Sequence, residues 1–278
     1  MTRRATVKAA VFAVLGIASI FALLPLWVML ADSLKTGSEI AVNSWGFPRE
    51  PTFANYTNLI GYNSGIMVRT FANSVFISTT YTLLTLLLSS LAAFAFSKYR
   101  FFGRNILFAL LISTMMIPSE LTMPAIYLMF AKVKMLNTYT IQIFPGAANA
   151  FCLFMLKQYM ESLPDSLMEA ARIDGAGHVY VFRKIILPLS APALGALAVL
   201  TFLAKWNDYL WPHTLLTKTD VMPIMVVLPT LNTSTSFYSI PWELILAGCM
   251  VVTLPLIIVF LIFQEQFMAS VMMGATKE

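Results

Sequence analysis

Apolar runs long enough to cross a bilayer recur along this whole chain, and nothing else in the sequence restricts its fold so sharply. A helix needs about 20 predominantly apolar residues to span the hydrocarbon core. Six segments meet that length, roughly 9–31, 71–97, 105–131, 139–160, 188–211 and 242–263. In lipid every backbone N–H and C=O must be paired within the protein, which leaves only helices or a closed barrel. Barrel strands alternate apolar and polar residues, whereas these runs are continuously apolar. The expectation is an all-α integral membrane protein with six transmembrane helices, forming a single membrane domain over residues 1–278. Composition agrees, since 11% of the residues are charged against about 25% in an ordinary soluble domain.

The first run, Ala9 to Ala31, follows Arg3, Arg4 and Lys8. It exceeds the ~7–15-residue core of a secretory signal and no A-x-A site follows, so it reads as a retained first span. Basic residues then set the orientation. With the N-terminus in the cytoplasm, Arg3, Arg4, Lys8, Lys98, Arg100, Arg104, Lys157, Arg172, Arg183, Lys184 and Lys277 lie inside, while Lys35, Arg49, Arg69, Lys132, Lys134 and Lys218 lie outside. That bias favours both termini in the cytoplasm, with the turn "SKYRFFGR" as its strongest element. Two outside segments are long, 32–70 and 212–241; "NTS" at 232 matches a glycosylation sequon too short to carry weight. Cys152 and Cys249 sit in apolar spans without metal or redox spacing, and His178 and His213 are far apart. No metal site, catalytic residue or nucleic-acid partner is expected.

One segment breaks the apolar rhythm: "SLPDSLMEAARIDGAGHVYVFRKIILPL", residues 162–189. Ser162 and Asp165 have the spacing of a capping box, and Pro164 suits a first helical turn. Leu163, Leu167, Ala170, Ala171 and Asp174 follow at helical spacing until Gly175 and Gly177 stop the helix. A second helix is expected from His178 to Ile186, with Val179, Phe182 and Ile186 on one side, before Pro188 opens the fifth span. The first helix is too short to persist alone in water. Ala170 and Ala171 leave a bare patch ringed by Glu169, Arg172 and Asp174, which suits a protein docking closely. A lipid-lying helix would pair bulky apolar residues with Lys and Arg, whereas this one carries Glu161, Asp165, Glu169 and Asp174 with a single arginine.

These residues resemble a known pattern. Glu169-Ala170-Ala171, then Gly175, then Ile185, Leu187 and Pro188 keep the spacing of the EAA loop of bacterial ABC-importer permeases. "PTFANYTNLI", "FANSVFIS", "KWNDYLWP" and the tail "FQEQFMASVMMGATKE" are similar to the carbohydrate-uptake branch, in particular the maltose permease G-type subunit and its glycerol-phosphate relatives. The tail departs from that branch's "GLTSGAVKG" ending, although Gly274, Ala275 and Lys277 agree with it. The resemblance implies a type I ABC-importer permease fold with a cytoplasmic coupling-helix loop, 162–187, between helices 4 and 5. It implies that Glu169, Ala170, Ala171, Arg172, Asp174, Gly175 and Phe182 transmit force from an ATPase. It implies four kinds of neighbour: a homologous second permease subunit, two ATP-binding cassette subunits holding ATP and Mg, an extracytoplasmic solute-binding protein, and the bilayer of a bacterial cytoplasmic (inner) membrane. The implied activity is inward movement of a sugar or oligosaccharide by alternating access.

The chain itself offers no motor. A Walker A loop requires a Gly-Lys pair, and no Gly-Lys pair occurs in the sequence, so the energy for active transport must come from another polypeptide.

Polar residues within spans are costly and mark candidate function. Glu120 lies between Pro118 and Pro124 in "MIPSELTMP", where a kinked or broken helix is expected; it either lines an outward cavity or pairs with a group on the sister subunit. Lys205 and Asp208 stand at i, i+3 in "FLAKWNDYLWPH" and suit anchoring at the outer boundary as well as solute contact. Asn207, Asn73 and Asn149 complete the pathway candidates, with interhelical hydrogen bonding as the alternative. Two other classes remain: an ion-driven secondary transporter, which wants paired midplane charges and inverted repeats, and a membrane scaffold without flux. Within the ABC class, glycerol phosphate, a polyol or a small peptide are the alternative cargoes.

Overall fold

The computed structural model describes residues 2–232 and 240–275, with side chains over 7–232 and 240–265. The side chains of Arg3 and Arg4, the sequon's Thr233 and Ser234, most of the polar stretch 231–239, and Lys277 lie outside these residues. Among the described residues every regular element is helical. In chain order the α-helices are α1 (Thr2–Ser33), α2 (Gly37–Val42), α3 (Ala54–Gly61), α4 (Ile66–Lys98), α5 (Arg104–Ser113), α6 (Ser119–Lys132), α7 (Tyr139–Ile143) and α8 (Ala150–Glu161). They continue as α9 (Ser166–Ile173), α10 (His178–Val181), α11 (Leu187–Leu189), α12 (Ala191–Trp206), α13 (Leu210–Leu215), α14 (Ile224–Val227) and α15 (Trp242–Ala275). Two compact units result, Met1–Arg69 with Val227–Pro255, and Thr70–Val226 with Leu256–Glu278.

Three helical stretches are long and apolar enough to cross a membrane: Val7–Ser33, Ala54–Lys98 and Trp242–Glu265. Two more would count if each bent pair made one span, Arg104–Met116 with Ser119–Lys132, bent by 98°, and His178–Leu189 with Ala191–Trp206, bent by 75°. The third expected span is therefore broken, as its prolines require. Ile117 before Pro118 is extended at φ −92°, ψ 116°, because the proline ring excludes the helical region for its predecessor. The fourth expected span is not one helix. Residues 139–160 divide into α7 and α8 across Phe144–Asn149, where Pro145 has no N–H to continue α7 and Gly146 takes a left-handed φ of +81°.

In the first unit, the segment after α1 folds around a buried cation. Lys35 is fully buried, with its Nζ 2.6 Å from Asp32 Oδ1 and 2.5 Å from Asn43 O. Asn55 Nδ2 donates to Ser33 O and Lys35 O, both at 2.8 Å, and Ser33 Oγ pairs with the Tyr56 hydroxyl at 2.7 Å. A buried charge survives only with a partner and satisfied protons, and Lys35 has both.

In the second unit, α4 turns its polar side inward. Thr70, Ser74, Ser78, Thr82, Thr85 and Ser89 recur at helical spacing and are all buried, while Phe76, Leu83, Leu87 and Leu91 are exposed. This is the arrangement expected in lipid, where small hydroxyl residues allow close helix packing and apolar side chains face outward at no cost. One core cluster joins Phe94 of α4, Leu156 and Met160 of α8, Met168 and Ala171 of α9, Phe182, Ile186, and Leu197 of α12.

Candidate functional site

Two features of the second unit gather the residues that the sequence singles out: the polar hairpin of α9 and α10, and a cavity at three helix breaks.

The hairpin is anchored on one side and bare on the other. Met168 and Ala171 of α9 are buried in the cluster just described, together with Val181 and Phe182. At its base Lys98, the last residue of α4, reaches Leu163 O at 2.6 Å and Asp165 Oδ1 at 2.7 Å, while the neighbouring Tyr99 hydroxyl pairs with His178 Nδ1 at 2.6 Å. The Lys98 ammonium, which donates to Asp165 and adds its charge, holds that carboxyl below the ordinary aspartate range. The turn closes as a Schellman motif: Ala176 N donates to Ala171 O and Gly175 N to Arg172 O, with Gly175 at φ +78°. Outward from this frame stand Glu169, Ala170, Arg172 and Asp174, and with them Ile173, 86% exposed.

Three expectations for the hairpin are corrected. Ser162 and Asp165 form no capping box: the Ser162 hydroxyl donates to Tyr159 O at the end of α8, and Asp165 makes no side-chain cap. The reason is competition, since an ammonium attracts the Asp165 carboxylate more strongly than a backbone N–H does. The second helix does not run evenly from His178 to Ile186. After α10 it widens into a π turn over Phe182–Ile186, because Pro188 has no N–H for the Lys184 carbonyl. Val181, Phe182 and Ile186 therefore share the buried side, while Val179 is exposed. Ala170 and Ala171 do not form one bare patch, for only Ala170 is exposed. Ile173 escaped notice because a lone isoleucine between Arg172 and Asp174 reads as ordinary helix filling; its signal was an apolar residue that no core-facing spacing accounts for.

The cavity, about 670 Å³, lies wholly in the second unit, where the breaks between α5 and α6, between α7 and α8, and between α12 and α13 meet. Irregular backbone at membrane depth is tolerated where it lines a cavity. Four of the five pathway candidates line it: Glu120, Asn149, Asn207 and Asp208. Each sits at a helix end for a local reason. Glu120 occupies the first turn of α6, its Oε1 accepting from the Ser119 hydroxyl at 3.0 Å. Asn149 caps α8, its Oδ1 accepting from Cys152 N at 2.9 Å. Asn207 ends α12 and donates to Leu203 O at 3.0 Å. Asp208 accepts from Trp211 N at 3.2 Å and from Lys205 Nζ at 2.9 Å. Lys205 also lies 5.3 Å from the Tyr81 ring centre, and Tyr81 donates to Gly146 O at 3.0 Å.

Asn73 is elsewhere. Its Nδ2 donates to Asp220 O and Met222 O, and its Oδ1 accepts from the Tyr139 hydroxyl at 2.8 Å, so it braces α7 against the 220–222 segment. The lining also includes Gln142 and Tyr81, which sequence reasoning passed over, as well as Tyr209 and Trp211. An amide within an expected span was the available signal for Gln142. It is 3% exposed, its Nε2 donates to Val221 O at 3.0 Å, and its Oε1 has no partner.

Comparison with known proteins gives a consistent picture. The family model described as "Binding-protein-dependent transport system inner membrane component" matches residues 85–272. An arabinooligosaccharides transport system permease protein of Halalkalibacterium halodurans is 35% identical over 258 residues, 92% of this chain and 91% of that protein. An sn-glycerol-3-phosphate transport system permease protein of Escherichia coli O157:H7 is 33% identical over 259 residues, 91% of each. A chain from the crystal structure of a bacterial ABC transporter involved in the import of the acidic polysaccharide alginate superposes with a TM-score of 0.84 at 25% identity. That match covers 96% of this chain and 99% of the other.

Proposed function

This chain belongs to the family of inner membrane components of binding-protein-dependent transport systems, and from that premise we propose that it is the permease subunit of an ABC importer for a sugar or oligosaccharide. Residues 1–278 act as one permease domain with six crossings, both termini cytoplasmic, in a bacterial cytoplasmic membrane. It works beside a homologous second permease subunit and receives solute from an extracytoplasmic binding protein. Two ATP-binding cassette subunits bind ATP and Mg and supply the energy.

The hairpin at 162–187 is the coupling element. The observation that carries this reading is its two-sidedness: buried Met168, Ala171 and Phe182 root it in the permease core, while Glu169, Ala170, Arg172, Ile173 and Asp174 are presented outward. A part that transmits force must be rigid toward one body and complementary to another. Gly175 shapes the turn between them. An equilibrium is moved only by a ligand that binds its two states unequally; here the ATPase pair, open or closed, is that ligand. The solute path runs by Glu120, Asn149, Asn207 and Asp208, with Asn73 supporting it through α7.

The relatives favour two cargo chemistries, a neutral oligosaccharide and glycerol phosphate. The test is reconstitution. Co-expressed with the ATPase and second permease subunits and placed in proteoliposomes with a solute-binding protein, the chain should support ATP-dependent uptake of labelled arabinotriose or a similar oligosaccharide. Uptake that persists without the ATPase, or an ATPase that never co-purifies, would overturn the proposal.

A further inference from the structure

The cavity at the three helix breaks carries an uneven charge. Asp208 and Lys205 neutralise each other at 2.9 Å, and the Lys205 ammonium is further engaged with the Tyr81 ring face. Glu120 is met by the Ser119 hydroxyl and its own backbone N–H, both neutral donors, and among the described residues Lys205 is the one cationic side chain lining the cavity. Subtracting the internal pair leaves one uncompensated carboxylate in a space walled by amides, hydroxyls and aromatic rings together with aliphatic residues such as Ile126, Ile141 and Leu215.

Resting on the reading of the chain as an importer permease, we propose that this cavity is a charge-selective solute subsite that takes uncharged, polyhydroxylated molecules and rejects anionic ones, with Glu120 as the selecting group. A carboxylate accepts hydrogen bonds and donates none, so it suits sugar hydroxyls and opposes a phosphate or uronate. Asn149 and Asn207 use only part of their hydrogen-bonding capacity in capping their helices, and Trp211 offers an apolar face. On this ground a neutral sugar, and not a phosphate ester or acidic polysaccharide, is the cargo class that fits.

The test uses the assembled complex and small thiol reagents, so it does not depend on knowing the cargo. Thr122 lines the cavity two residues from Glu120. In a Thr122→Cys complex, modification is timed with cationic, anionic and uncharged methanethiosulfonates, each normalised to its rate with a free thiol. Rates are taken without nucleotide and with a non-hydrolysable ATP analogue, and the unsubstituted complex gives the background from Cys152 and Cys249. Ala204→Cys, at another lining position, serves if the first variant does not assemble. One free charge about 8 Å away in a water-filled space predicts that the cationic reagent outpaces the anionic one about fivefold. Adding Glu120→Gln should bring the ratio close to unity. Equal or faster reaction of the anionic reagent, a ratio unmoved by Glu120→Gln, or failure of even the uncharged reagent to react in both states would overturn the proposal. Absence of ATP-driven uptake would instead count against the permease reading, because the reagent ratio is measured without any flux.

Discussion

Lys98 and Asp165 stand 67 positions apart in sequence, yet their charged groups meet at 2.7 Å and tie the end of α4 to the base of the polar hairpin. The Lys98 side chain is almost wholly buried, and its second bond goes to Leu163 O, so the contact acts as a rivet and not as a loose surface pair. Lys98→Met removes both bonds; water can take over the exposed Asp165 carboxylate, while Leu163 O loses its buried donor. Amide hydrogen exchange over 163–175 should then rise about three- to tenfold, with the remainder of α4 unaffected.

The same pair sets a pH response. Asp165 is depressed in the folded state by the Lys98 ammonium. A depressed carboxyl contributes stability above its unfolded value, about 3.9, and loses it as pH falls through the lower folded value. Hairpin protection should therefore be flat from pH 8 to 5 and weaken only below the usual aspartate range. Asp165→Asn should show the weakened state at every pH, and hydrogen exchange across a pH series checks it.

Neighbouring alanines should behave differently. Ala170 is exposed and Ala171 is buried beside Met168 and Phe182. Ala170→Asp should leave the hairpin resistant to trypsin at Arg172 but reduce recovery of the ATPase in a pull-down. Ala171→Asp forces a charge into an apolar cluster, and should lose both trypsin resistance and ATPase binding.

Gly175 sits at φ +78° with open space around it. The obstacle to a side chain there is backbone conformation alone, so Gly175→Ala should cost about 1 kcal/mol of hairpin stability. Gly175→Asn should cost less, because asparagine tolerates the left-handed region. Exchange rates at Arg172 to Ala176 measure the difference.

Far from the hairpin, the buried Lys35–Asp32 pair predicts a large effect. Lys35→Met strands a buried carboxylate and should destabilise by about 3–5 kcal/mol, whereas Lys35→Met with Asp32→Leu should recover much of that loss. Thermal melts of the purified complex, followed by intrinsic fluorescence, distinguish the single variant from the double.

What could be read from sequence follows from how local each cause is. The break at Ile117–Pro118 was legible because proline acts on its immediate neighbour. The break at Phe144–Asn149 carried a similar local signal in Pro145, but the continuous apolar run hid it, since hydropathy records composition and registers neither a missing N–H nor the left-handed φ at Gly146. Gly175 announced the end of α9, a local matter of backbone freedom. The capping box failed for the opposite reason, as a lysine distant in sequence claimed Asp165. Val179 was placed on the wrong side because the π turn at Phe182–Ile186 shifts the helical phase, and no 3.6-residue pattern carries that shift. Four of the five pathway candidates came together because polar residues gather at helix ends, and three such ends share one cavity. Asn73 obeys the same chemistry but spends it on holding the 220–222 segment.

Asn149 and Asp208 each support a helix start while also facing the cavity, so evolution cannot retune them for a new solute without loosening the scaffold. Glu120 and Thr122 make only short local bonds within the first turn of α6. Divergence in transport preference among relatives should therefore concentrate on that one helical turn, leaving the capping positions as a fixed chassis.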